Sequence, residues 1–119
     1  MKRLFFLLFS SISFTLVFSQ PYDPGKVSKK GKSVYDKAIT LAQEGNLEQA
    51  ATQLKQCVEA EPGYADAYLS LGGVYSDLRN YQLSIDYFEK AFSIDPDYSI
   101  ESKLPYSINL ARLGQFDKG

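Results

Sequence analysis

An all-α fold, built from antiparallel helix pairs stacked side by side, is what this sequence predicts, and three observations predict it. The pentapeptide AEPGY (60–64) returns as IDPDY (94–98), so that Pro62 and Pro96, and likewise Tyr64 and Tyr98, are separated by the same interval. That interval, about 34 residues, is a known period for stacked helical repeats. From Lys29 onward apolar residues recur at helical spacing. Asn46 and Asn80, one such interval apart, stand where one helix stops and the next begins. The composition agrees: 119 residues, 45% hydrophobic and 23% charged, suit one modest globular domain and not a disordered chain.

The elements follow in order. The first helix runs from about Lys29 to Glu44, where Gly45 ends it and Asn46 is able to cap the second, Leu47 to Ala60. Glu61-Pro62-Gly63 breaks the second helix, because proline lacks the needed donor and pushes the residue before it out of helical geometry. A third helix spans Tyr64 to Leu78, Arg79-Asn80 turns the chain, and a fourth covers Tyr81 to Ile94. Asp95-Pro96-Asp97 closes this second cycle, and a fifth helix extends to Leu113, ahead of Gly114. Pro105 either sits in the first turn of a short fifth helix or kinks a longer one.

At this level of detail the chain resembles the tetratricopeptide repeat family. The second unit carries the resemblance: Tyr68, Leu71, Gly72 and Tyr75 on its first helix, then Ser84, Phe88, Ala91 and Pro96, with only the serine off-pattern. The first unit keeps sizes better than identities, with Val34, Lys37, Ala38, Leu41, Ala50, Leu54, Cys57 and Pro62 in the matching places. Lys37 stands where leucine is expected, and its aliphatic stem would lie over the core edge. Gly114-Gln115-Phe116 aligns with Gly45-Asn46-Leu47 one position later than two full periods would place it, so an extra residue falls near Pro105. The resemblance implies a tetratricopeptide-type α-solenoid with about two full repeats and a truncated third. Its divisions are a signal peptide at 1–19, a linker at 20–30, repeats at 31–64 and 65–98, and a partial repeat at 99–119.

The spacing has a physical reason. Crossing helices need small residues at their contacts, and Gly72, Ala91, Ala38, Ala50 and Cys57 supply them. Tyr68, Leu71, Tyr75 and Phe88 fill the space between, each contributing about 1.5–3 kcal/mol when buried. Ordering a residue costs about 1–2 kcal/mol of backbone entropy, so one helix pair cannot stand alone and stacking is required. The chain stops four residues into a sixth helix, at Phe116 to Gly119. The fifth helix, with Leu104, Ile108 and Leu110 on its apolar side, would then lack its pair, which predicts a piece of a longer protein.

The amino terminus points to export. Met1-Lys2-Arg3 precedes an uncharged apolar run from Leu4 to Phe18, shorter than the ~20 residues of a membrane-spanning helix and suited to a signal-peptide core. Cleavage is expected after Ser19. Loss of Lys2 and Arg3 from the 13 basic residues leaves 11 against 14 acidic, a net charge of −3. Such a balance excludes no surface patch, but it gives nucleic-acid binding no support. Lys26, Lys29, Lys30 and Lys32 cluster after the linker and suit a solvated helix start.

Catalytic chemistry is hard to place. The chain has no histidine, the commonest general base and metal ligand, and one cysteine, which forms no internal disulfide. Gly25 to Ser33 resembles a phosphate-binding loop, but five residues separate the glycines where four are required. Cys57, between apolar neighbours and without a basic partner in its helix, suits packing better than reactivity. No catalytic, cofactor-binding or metal-binding residue is assigned.

Binding remains. The resemblance implies a concave surface formed by the first helix of each pair, which here comprises Lys32, Tyr35, Ile39, Asp66, Leu69, Gly73, Asp77, Leu104, Ile108 and Arg112. Its centre is apolar and lacks a lysine–asparagine set for gripping a carboxy-terminal carboxylate. A protein or peptide partner in that groove is expected. The order of signal, YDPGKVSKK segment and repeats also resembles the start of bacterial envelope proteins with a downstream β-propeller and an OmpA-like domain. That implies a non-enzymatic scaffold in the periplasm or at the outer membrane, reaching peptidoglycan or membrane only through domains beyond Gly119. Two alternatives are the targeting arm of an enzyme with a downstream catalytic domain and a signal-anchored inner-membrane scaffold.

Overall fold

The computed structural model describes residues 21–115. The signal sequence, its cleavage point and the sixth-helix residue Phe116 lie outside the described residues. Among the described residues five α-helices follow one another: α1 Lys29–Gln43, α2 Leu47–Ala60, α3 Ala65–Asp77, α4 Tyr81–Ile94 and α5 Lys103–Arg112. Short 3-10 turns at Pro24–Lys26 and Ile100–Ser102 precede α1 and α5. α1 packs on α2, α3 on both α2 and α4, and α5 on α4 with an edge on α3. This is the stacked all-helical architecture that the repeat period predicts.

Three helix ends share one geometry. At the end of α1, Gly45 N donates to Ala42 O and Asn46 N to Leu41 O. After α3, Arg79 N and Asn80 N make the same pair of bonds to Ser76 O and Tyr75 O, and after α5 Gly114 N and Gln115 N bond to Ala111 O and Leu110 O. Each motif places one residue in the left-handed region, at φ 83° for Gly45, 61° for Arg79 and 68° for Gly114. Arg79 holds this conformation with a Cβ, at a cost of about 1–2 kcal/mol. The two bonds it anchors show why the turn is kept.

The same register locates the inserted residue. The left-handed residues Arg79 and Gly114 stand 17 and 18 residues after Pro62 and Pro96 (79 − 62 and 114 − 96), so one residue is added between Pro96 and Gly114. α5 is also shorter at its start: Ala65 begins α3 three residues after Pro62, whereas Lys103 begins α5 seven after Pro96, the turn and 3-10 segment taking the place of its first turn. Pro105 lies in the first turn of α5, where its missing donor is harmless. Asn80 caps α4 by accepting from Leu83 N at 3.3 Å. Asn46, by contrast, makes no side-chain cap at α2. Ser28 caps α1, accepting from Gly31 N at 3.0 Å.

The core runs along the helix crossings. Ala38, Ala50, Cys57, Gly72 and Ala91 are buried at the contacts, and Leu54, Tyr68, Leu71, Tyr75, Ile85 and Phe88 fill the space between. Gly72 is the tightest point: a Cβ there would meet the Phe88 ring at 2.7–2.8 Å. A stack of tyrosines continues the packing, with Tyr75 and Tyr87 5.6 Å apart and Tyr68 6.4 Å from Tyr87. Lys37, in the place of the expected leucine, is exposed. One expectation is corrected. Leu110, expected on the open side of α5, is only 2% exposed, since the register of α5 turns it toward α3 and α4.

Ser84 does more than fill the place of a small residue. Its hydroxyl donates to Gly72 O at 2.6 Å and accepts from Asn109 Nδ2 at 2.9 Å. Asn109 also donates to Ser76 Oγ at 3.2 Å and accepts from Arg112 at 3.3 Å. Both Ser84 and Asn109 are buried, so one satisfied polar cluster ties α3, α4 and α5 together.

Candidate concave binding face

The expected binding residues project from the first helix of each pair at spacings of three and four, which set them along one helix face. On α1, Lys32 is exposed while Tyr35 and Ile39 are half-buried. Tyr35 meets Ser70 Oγ at 3.2 Å, and its ring lies 5.1 Å from that of Tyr64. Burial, more than any neighbour, raises its hydroxyl pKa, so it serves as a neutral hydrogen-bonding aromatic.

On α3, Leu69 and Gly73 are half-buried and Asp77 is exposed. Leu69 packs against the core with its inner edge. Gly73 has no atom within 4 Å of where its Cβ would stand, so this face of α3 is open there. On α5, Leu104 and Ile108 are 68% and 42% exposed, and Arg112 stacks its guanidinium 4.8 Å over the Tyr81 ring.

Three of these residues come together. Asp77, Ile108 and Arg112 line one recess of about 430 Å³ between α3 and α5, with Ser76, Tyr81 and Asn109 at its wall. It offers a carboxylate, a guanidinium held in place by stacking, and apolar contact at Ile108 and Pro105 within a mainly polar lining. The α1 residues, Asp66, Leu69, Gly73 and Leu104 do not line this recess. Those on α1 stand on the neighbouring repeat, and Leu104 points from the start of α5 into solvent.

Asp66 has a different setting from the one expected of an open groove residue. Its two carboxylate oxygens accept from Tyr22 and Tyr98, at 3.0 and 2.9 Å. The two rings meet edge to face, 4.5 Å apart. Burial and the Asp66 carboxylate push the Tyr98 hydroxyl up to about 12 and raise that of Tyr22 as well, so both stay protonated and donate.

Tyr22, Tyr98, Ser76 and Asn109 contribute to this face without having been expected there. Tyr98 carries a signal, since it repeats Tyr64 at the period, but in the sequence that repetition reads only as punctuation. Tyr22 carries none, lying in a Pro/Gly segment that reads as linker. Cys57 is buried and donates to Gly31 O at 3.4 Å. Burial raises its thiol pKa, so the sulfur is held as a packing group and not as a nucleophile. Among the described residues no cluster of three or more His, Cys, Asp or Glu could hold a metal.

Comparison with known proteins agrees with this geometry. Comparison with curated proteins returns no match. The sequence model described as "Tetratricopeptide repeat" matches residues 35–99, which covers α2, α3, α4 and most of α1. With more than half of its length matched and its helices stacked in the corresponding pairs, the chain belongs to the tetratricopeptide repeat family.

Proposed function

We propose that this chain is a non-enzymatic protein-interaction scaffold of the bacterial cell envelope, exported by a signal peptide cleaved after Ser19. In this reading it forms the amino-terminal part of a longer outer-membrane-associated assembly or secretion component. The observation that carries the interaction role is the recess formed by Asp77, Ile108 and Arg112 on the first-helix face. Repeats of this family typically bind protein or peptide partners and are in general non-catalytic. A partner segment with an apolar side chain for Ile108 and a charged group for Asp77 or Arg112 suits such a wall.

Export is supported by the charged start and short apolar run of residues 1–18. The longer assembly is supported by the resemblance at the amino terminus and by the apolar surface on and beside α5, where Leu104 and Ile108 of the helix and the flanking Ile100 and Leu113 are exposed. Two measurements test the reading. Sequencing the mature protein from envelope fractions should find Gln20 first; a start at Met1 would rule out cleavage. Ile108→Glu sets a charged side chain at an exposed position that lines this recess, so it should retain helical circular dichroism and lose its co-purifying partner. Full retention of that partner by the folded variant would remove the groove from the account.

A further inference from the structure

Residues 21–28 span the closing turns of both repeats. At one end the backbone N–H of Ser28 donates to Glu61 at 3.3 Å, on the turn after α2. At the other, the backbone N–H of Tyr22 donates to Asp95 at 2.9 Å, on the turn after α4. The Tyr22 side chain crosses to α3, bonding Asp66 and seating its ring against Tyr98. Between these anchors the 3-10 turn is held locally, with Asp23 accepting from Gly25 N at 2.8 Å. Pro21 and Pro24 restrict the chain on either side of Tyr22.

The segment is attached at few points. Only Tyr22 and Val27 are partly buried, and the remaining residues of 21–28 are exposed. α3 and α4, by contrast, share buried Leu71, Tyr75, Ile85 and Phe88. A segment held by two side chains and a few rim hydrogen bonds opens at a lower free energy than a core held by such packing. We propose that residues 21–28 are a latch that opens independently of the repeats, uncovering Asp66 on the first-helix face and releasing the two closing turns from each other.

In the closed state Tyr22 occupies one oxygen of Asp66 and links it, through Asp95, to the end of the second repeat. Opening leaves Tyr98 alone on Asp66 and frees a slot shaped for a phenol ring. It also removes a segment that bonds to both Glu61 and Asp95, so the relative tilt of the two repeats loses a restraint. This behaviour belongs to the latch itself and holds whatever partner the groove takes.

Amide hydrogen exchange on the full chain tests it. In the native protein, the amides of Tyr22 and Ser28 should be protected relative to an unstructured chain, yet exchange far faster than those of Leu71 and Ile85. Tyr22→Ala should accelerate exchange at Ser28 at least tenfold while leaving Leu71 and Ile85 within about twofold of native. Tyr22→Phe keeps the ring and removes only the bond to a carboxylate, so its acceleration should be smaller, up to roughly tenfold. Unprotected amides at Tyr22 and Ser28 in the native chain would overturn the latch. Equal acceleration at Ser28, Leu71 and Ile85 would overturn its independence.

Discussion

Gly72→Ala should lower stability by about 1–2 kcal/mol, whereas Gly73→Ala, one residue on, should raise it by about 0.5–1 kcal/mol. Both substitutions gain the same helix propensity, because each replaces a mid-helix glycine with the best helix former. They differ in what the new methyl group meets. At Gly72 it lands 2.7–2.8 Å from the Phe88 ring, while at Gly73 nothing stands within 4 Å. Phe88 cannot swing aside freely, since it is 3% exposed and packs against Phe92 at 6.3 Å and Tyr106 at 6.5 Å. Overpacking of this kind costs about 1–3 kcal/mol and outweighs the propensity gain. Thermal unfolding of the pair gives the answer directly: the melting temperature should fall by about 5–10 °C for Gly72→Ala and not for Gly73→Ala.

Asn109→Ala should be more damaging, at about 2–4 kcal/mol. The substitution removes the donors to Ser84 and Ser76 and leaves a small void among α3, α4 and α5. Ser84→Ala should cost less, about 1–2 kcal/mol, because it strips one partner from Asn109 and one bond from Gly72 O. Since the two side chains bond to each other, the double variant should cost about 1 kcal/mol less than the two losses taken together. Denaturant unfolding of the four proteins checks this. Additive losses would mean that the contact between Ser84 and Asn109 contributes nothing of its own.

The helix boundaries were legible because their causes are local. Proline after α2 and α4, and glycine after α1, act on the residues beside them, so α2 and α4 end where Pro62 and Pro96 require. The left-handed position at Arg79 was not legible as such, since arginine carries no sign of positive φ. Only its place one period after Gly45 and the paired hydrogen bonds mark it. Ser84 was visible as a departure from the family pattern, but its purpose was not. The partner that explains it, Asn109, lies beyond a one-residue insertion that shifts the register of the third repeat.

The binding face follows the same division. Helical spacing selects one face on each of α1, α3 and α5, and of the residues on those faces the structure gathers Asp77, Ile108 and Arg112 into one recess. It gave no warning that Asp66 is held by Tyr22 and Tyr98, 44 and 32 residues away. Contacts over such distances depend on how the repeats stack. No local pattern encodes them, and a tyrosine between two prolines gives no hint that it will fold back onto α3.

The central claim is that this stack of helix pairs presents its first-helix face to a protein partner, and site-specific photo-crosslinking tests it most directly. A photoreactive residue replaces Gly73, on the first-helix face with open space beside it, or Gln56, an exposed position on the second helix of the first pair. In cells making the full-length protein, position 73 should give a discrete adduct with a partner protein and position 56 should not. An adduct from position 56 with none from position 73 would contradict the claim.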